Sequence, residues 1–271
     1  MDGKITNKKI ALVTGANRGI GFETCKQLSQ LDITVLLTAR DPTKGEAAAK
    51  QLTDQGLDVI FFQLDVSNRS NVEDIFTKIE KQFGRLDILI NNAAILYDKN
   101  QSTINADLEL VSKALTTNLY GPWLLCQAFI PLMEKNGYGR IVNISSGAAS
   151  LHYMEGGTPA YGISKVALNA LTRKLASELG QKNVLVNSID PGWVATDMGG
   201  RGGRPVEKGC RGSYGLLPCQ IMARVEDSFM TENLNFGNDS NEKIVPWSIL
   251  FPIYPQAPNH SRSEPWLGNL E

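Results

Sequence analysis

Six short, mainly apolar runs separated by helical stretches constrain this chain more than any other feature. The first is Ile10-Ala11-Leu12-Val13, and others follow at 34–38, 59–62, 86–90, 139–144 and 184–189. They are continuous rather than alternating and rich in Val, Ile and Leu, as expected of strands covered on both faces. Between them, residues 21–31, 44–55, 72–83, 108–133 and 161–179 carry helical spacing. Strands joined by crossovers of this length can run parallel, so the pattern predicts an α/β fold with a doubly wound parallel sheet of Rossmann type.

A chain of 271 residues allows one or two domains at about 100–200 residues each. No linker or repeat interrupts the pattern before about Gly199, which predicts a single nucleotide-binding catalytic domain over residues 1–208. Residues 209–271 depart from it. A Gly/Arg segment at 199–204 leads to a polar stretch at 227–243 and an end containing Pro252, Pro255, Pro258 and Pro265, so loops are expected there.

With 27 basic against 28 acidic residues and no basic run, neither nucleic acid nor an anionic membrane surface is an expected partner. The apolar runs are too short to span a bilayer, and the first residues, Met1-Asp2-Gly3-Lys4, lack the apolar core of a signal peptide. A cytoplasmic location is expected. Four cysteines without CxxC spacing read as reduced thiols, and with only His152 and His260 present no metal site is expected.

Directly after the first strand comes Thr14-Gly15-Ala16-Asn17-Arg18-Gly19-Ile20-Gly21. Glycines at 15, 19 and 21 allow a tight turn, close approach of backbone N–H groups to a pyrophosphate, and close packing of helix on strand. The second strand ends Thr38-Ala39-Arg40, without the acid that would bond a free ribose 2′-hydroxyl. Arg40 with Arg18 suits a 2′-phosphate and favours NADP(H), while Asp41 nearby keeps NAD(H) in play. Tyr161 and Lys165 stand four residues apart, on one face of a helix start. The lysine charge is expected to lower the tyrosine pKa toward that of a working proton donor.

The glycine loop, Asn91-Asn92-Ala93-Ala94, Asn118, Ser145-Ser146, Tyr161 with Lys165, and Pro191-Gly192 follow the order and spacing of the short-chain dehydrogenase/reductase family. From about Lys8 to Lys208 the chain resembles the family's carbonyl-reductase-like branch. The resemblance implies a hydride transfer between NADP(H) and a carbonyl or alcohol substrate, by reduction of a ketone, aldehyde or quinone. Tyr161 would be the acid in reduction and Lys165 would lower its pKa and bind the nicotinamide ribose. Ser146, chosen over Ser145, would orient the substrate oxygen, and Asn118 would hold a water of the proton relay. Gly15, Asn17, Arg18, Gly19, Ile20 and Gly21 would cradle the phosphates, Asp65 and Val66 would flank the adenine, and Asn91 and Ala93 would pass the adenosine side. Pro191, Gly192, Val194 and Thr196 would close over the nicotinamide. His152, between Ser146 and Tyr161, reads as a loop histidine more than as a pocket residue. Many relatives form dimers or tetramers through the helices at 108–133 and 161–179, so the resemblance allows a homo-oligomer.

Relatives usually end with a further helix and a strand carrying Gly-x-Phe-Phe. This chain has Cys210-Arg211-Gly212-Ser213-Tyr214-Gly215 instead. Reverse-translating Gly212–Asn233 and reading in the neighbouring frame permits a run ending Gly-Gly-Phe-Phe-Tyr-Asp, which is what such an ending looks like. The tail therefore reads as a frame change near Gly209, with the final strand missing or replaced. A catalytically silent nucleotide-binding protein is the alternative function that such a tail leaves open.

Overall fold

Strands covered on both faces need helices above and below. The computed structural model, which describes residues 8–209 apart from 97, 100, 180 and 181, supplies them. The strands are β1 (Ile10–Val13), β2 (Thr34–Ala39), β3 (Val59–Gln63), β4 (Ile88–Asn91), β5 (Gly139–Ile144) and β6 (Val184–Ile189). They pair in parallel in the order β3-β2-β1-β4-β5-β6, with Leu12 opposite Leu36 on one side and Leu89 on the other. The chain winds outward from β1 to β3 and then returns to set β4 beside β1. That reversal opens a crevice at the carboxyl ends of β1 and β4, where ligands of such sheets bind.

Alternation along each strand divides the core into two layers. Ile10 and Leu12 enter a layer with Val72, Ile75 and Ile79 of α3 (Arg69–Phe83) and Leu125 and Phe129 of α5 (Gly121–Lys135). Ala11 and Val13 face the other way, onto Cys25 and Leu28 of α1 (Gly19–Ser29) and Ala48 and Leu52 of α2 (Pro42–Thr53).

Several elements differ from the sequence reading. Helices α2 and α3 begin earlier because side chains cap them: the Asp41 carboxylate accepts the Lys44 N–H (3.2 Å), and the Asn68 carbonyl accepts that of Ser70 (3.0 Å). β4 starts at Ile88 rather than 86, since Asp87 is fully buried and accepts the Ile10 N–H (2.8 Å) while paired with Arg85. The single helix expected at 108–133 is two, α4 (Leu108–Leu115) and α5, joined by a π-helical turn at Thr116–Tyr120. α4 packs against α6 (Pro159–Leu179), and α5 against α3. Beyond Gly199, where loops were expected, a four-residue helix α7 (Val206–Gly209) forms. The altered tail, its frame reading and the final strand fall on 210–271, outside the described residues.

Phe129 is the largest fully buried side chain, its ring 5.5 Å from that of Phe76 across the α3–α5 layer. Phe129→Ala is expected to cost about 3–5 kcal/mol of stability in urea unfolding. A loss below about 1 kcal/mol would mean that this layer is not a close-packed core.

Candidate active site

The strand ends set the site. Past Val13 and Ile90, which are register partners, the two chains stay clasped by side chains. The Thr14 hydroxyl accepts the N–H groups of Asn92 and Ala93 (3.0 Å each), and the Asn92 amide donates to the carbonyls of Thr14 (2.8 Å) and Gly15 (3.0 Å). Gly15 has φ +61°, and a Cβ there would stand 2.8 Å from the Ala93 Cα. A side chain is excluded on both counts. Gly19, also at positive φ, faces Thr196, whose methyl would lie 3.4 Å from an added Cβ.

Helix α1 begins immediately after this loop with no side-chain cap and no acidic residue in its first turn. Its first N–H groups and positive dipole end are therefore left to an anion. The loop borders a cavity of about 790 Å³ that runs from Arg40 and Asp65 at one end to Ser146, Tyr161 and Lys165 at the other. A bare glycine cradle, an uncapped helix end and two arginines fit a dinucleotide phosphate.

At the far end, β5 delivers Ser145 and Ser146 and the first turn of α6 delivers Tyr161. The Ser146 hydroxyl lies near enough to the Tyr161 phenol to lower its pKa and accepts the N–H of Ala148 (3.2 Å), whereas the buried Ser145 hydroxyl has no partner among the described residues. Lys165, one turn on, is 2% exposed, lies 5.7 Å from the centre of the Tyr161 ring and donates to the Ile144 carbonyl (2.6 Å).

The tyrosine pKa departs from expectation. Burial pushes the phenol above its usual value; the Ser146 hydroxyl opposes this, and the negative charge of Asp190 adds to it. The lysine does not set the sign, because burial pushes Lys165 itself down to about 8, so that it has lost its charge before the phenol titrates. Tyr161 thus holds its proton through neutral pH.

Asp190 was not singled out from the sequence. It directly follows β6, lines the cavity, accepts the Gly192 N–H (2.9 Å) and puts its other oxygen 3.4 Å from where a Cβ on Gly147 would stand. Its signal was an acid directly before Pro191-Gly192. Asp197 was missed as well: it pairs with Arg18 at 2.5 Å, linking the glycine loop to the segment after β6.

Of the residues expected at the site, the cavity brings together Gly15, Asn17, Arg18, Gly19, Ile20, Arg40, Asp65, Val66 and Ala93, and then Ser146, Tyr161, Lys165, Pro191, Gly192, Val194 and Thr196. Three lie behind its wall. Gly21 packs helix on loop, a Cβ there coming within 2.8 Å of the Gly15 carbonyl. Asn91 is the last residue of β4 and points into the sheet layer, where its amide donates to Asn143 (2.8 Å); Asn92, one residue on, reaches the cavity instead. Asn118 sits in the π turn with its side chain fully engaged, accepting the Ile95 N–H (2.8 Å) and donating to the Ile95 carbonyl (3.0 Å) and Ser164 hydroxyl (2.9 Å). His152 packs edge-on against Tyr153 and is not among the cavity residues. Among the described residues, no helix is long and apolar enough to cross a membrane.

The sequence matches the short chain dehydrogenase family over residues 9–204, and the chain belongs to that family. Among its relatives is "Carbonyl reductase [NADPH] 1" of Sus scrofa, 34% identical over 92% of this chain and 98% of that protein. The (+)-neomenthol dehydrogenase of Arabidopsis thaliana is 33% identical over 78% of this chain and 93% of that protein. Among solved structures, a metagenomic short-chain oxidoreductase in complex with NADP superposes with a TM-score of 0.62 at 33% identity, covering 68% of this chain and 81% of that one.

Removing the Asp190 charge takes away one of the two influences that raise the Tyr161 pKa. Asp190→Asn is therefore expected to lower it, seen as an earlier phenolate transition in an ultraviolet difference titration against a Tyr161→Phe reference. An unmoved transition would show that the carboxylate does not act on the phenol.

Proposed function

We propose that this chain is an NADP(H)-dependent reductase of ketones, aldehydes or quinones, acting through a single catalytic domain at 1–208. The observation that carries the proposal is that Ser146, Tyr161 and Lys165 line one end of the same cavity that the glycine cradle borders. The relatives that reduce carbonyls with NADPH support the same reading. A silent nucleotide-binding protein has nothing in its favour, since Ser146, Tyr161 and Lys165 all line the cavity.

The glycine loop and the head of α1 hold the pyrophosphate, Arg18 and Arg40 the 2′-phosphate, and Lys165 the nicotinamide ribose. When bound, NADPH supplies the hydride to the carbonyl carbon. Ser146 donates to the substrate oxygen and fixes its position. Tyr161, protonated at neutral pH, passes its phenolic proton to that oxygen as negative charge develops there. In the oxidative direction its phenolate takes the proton back. The Asn118 side chain, engaged by Ile95 and Ser164, is not free to hold a relay water and instead ties the π turn to the segment after β4 and to α6. Large apolar side chains exposed on the helices, such as Leu108, Trp123 and Ile163, fit a homo-oligomer, and the charge balance fits the cytoplasm.

NADPH oxidation with a ketone, aldehyde and quinone panel tests the proposal. Tyr161→Phe should lower kcat by roughly 10²–10⁴-fold while NADPH still binds; full turnover in that variant refutes the mechanism. Arg40→Ala removes a charge-assisted contact of about 1.5–3 kcal/mol, so it should raise the KM for NADPH by roughly ten- to a hundredfold and leave that for NADH unchanged. Equal effects on both would place the 2′-phosphate elsewhere.

A further inference from the structure

Helix α6 carries both Tyr161 and Lys165, and its beginning is unusual. Gly157 and Thr158 precede it with φ of +93° and +41°. Thr158 stands where a capping hydroxyl belongs, yet lacks the extended backbone that such a cap uses. Pro159, the first helical residue, has no N–H to satisfy. The Gly162 N–H goes to the Thr158 carbonyl (2.9 Å). That leaves the N–H groups of Ala160 and Tyr161.

Both are taken by one carboxylate from a distant part of the chain. Asp98 Oδ2 accepts the Ala160 N–H at 2.6 Å and the Tyr161 N–H at 3.3 Å, across 62 and 63 residues of sequence. Asp98 is 1% exposed, and its second oxygen has no partner among the described residues. A carboxylate here also meets the positive end of a 21-residue helix. The same segment is tied to α6 at a second point, through the Asn118 side chain, which bridges Ile95 and Ser164.

We propose that Asp98 is a positioning residue for the reaction: by accepting the main-chain N–H of Tyr161 itself, it sets where α6 begins and so where the phenol stands against Ser146. The cofactor cradle is held by other bonds, those of Thr14 and Asn92, and Lys165, a turn further on, is held by the Ile144 carbonyl, so displacing the helix start should misplace the proton donor without loosening the dinucleotide. The proposal rests on Tyr161 being that donor.

The test is a series of Asp98→Asn, Asp98→Ser and Asp98→Ala in the full chain, with kcat expressed per NADPH-binding site titrated by fluorescence. Asn keeps a carbonyl acceptor of the same reach, Ser offers a shorter one and Ala none. kcat per site is expected to fall in that order, with Ala down roughly 10- to 100-fold, as sub-ångström to ångström misplacement of a reacting group entails. NADPH affinity should stay nearly constant along the series. If the Ala variant does not fold, the Asn and Ser variants give the same reading. Equal kcat per site in all variants overturns the proposal, as does NADPH affinity falling in parallel with kcat. Full turnover in Tyr161→Phe would sink the underlying mechanism as well, whereas turnover lost in Tyr161→Phe but flat across the Asp98 series would sink this inference alone.

Discussion

Where β1 and β4 leave the sheet, four hydrogen bonds around Thr14 and Asn92 hold two loops at a separation that leaves no room for a Cβ between Gly15 and Ala93. The cavity depends on this clasp. In a parallel sheet the strand ladder stops at the carboxyl ends, and the chains beyond it would otherwise diverge with unpaired peptide groups. Thr14 and Asn92 extend the pairing with side chains for one more residue on each strand. The amides at the head of α1 thereby come to open on the crevice rather than on a neighbouring side chain.

A second set of buried polar contacts does for α6 what the clasp does for the glycine loop. Asn91 donates to Asn143, its register partner on β5, and Asn143 donates to Thr172 of α6 (2.8 Å). Ser188 of β6 reaches Asn169 (2.6 Å) on the same helix. Apolar packing alone would let a helix slide along its own axis at little cost. Directional bonds in a dry interior do not, because a displaced partner leaves a buried group unsatisfied at about 1–3 kcal/mol. The catalytic helix is thus indexed to β5 and β6 by position as well as held by hydrophobic contact.

The topology was legible because strands covered on both faces are mainly apolar and the crossovers must be helical; Ile10–Val13 shows this to the residue. The glycine loop was legible because no other residue type suits its backbone. Less visible was anything decided by a partner remote in sequence. Asn91 and Asn92 are chemically identical neighbours, and only the pleat of β4 sends one into the sheet layer and the other to the cavity. The sign of the Tyr161 shift depended on how deeply the phenol is buried and on Asp190 arriving from β6, and neither follows from a Tyr-x-x-x-Lys spacing. Asp98 carried no local motif, since its partners lie 62 residues away.

The π turn at Thr116–Tyr120 has a consequence of phase. An α-helix advances about 100° per residue, so one extra residue in a turn rotates everything downstream by about that angle relative to everything upstream. A single unbroken helix from Leu108 to Lys135 would present one stripe along its whole length and could satisfy one neighbouring surface. With the offset, the upstream part, α4, addresses α6 while the downstream part, α5, turns Leu125 and Phe129 onto the sheet and α3. One continuous rod therefore serves two walls, and the residue at the dislocation, Asn118, is carried inward to where three segments of chain meet.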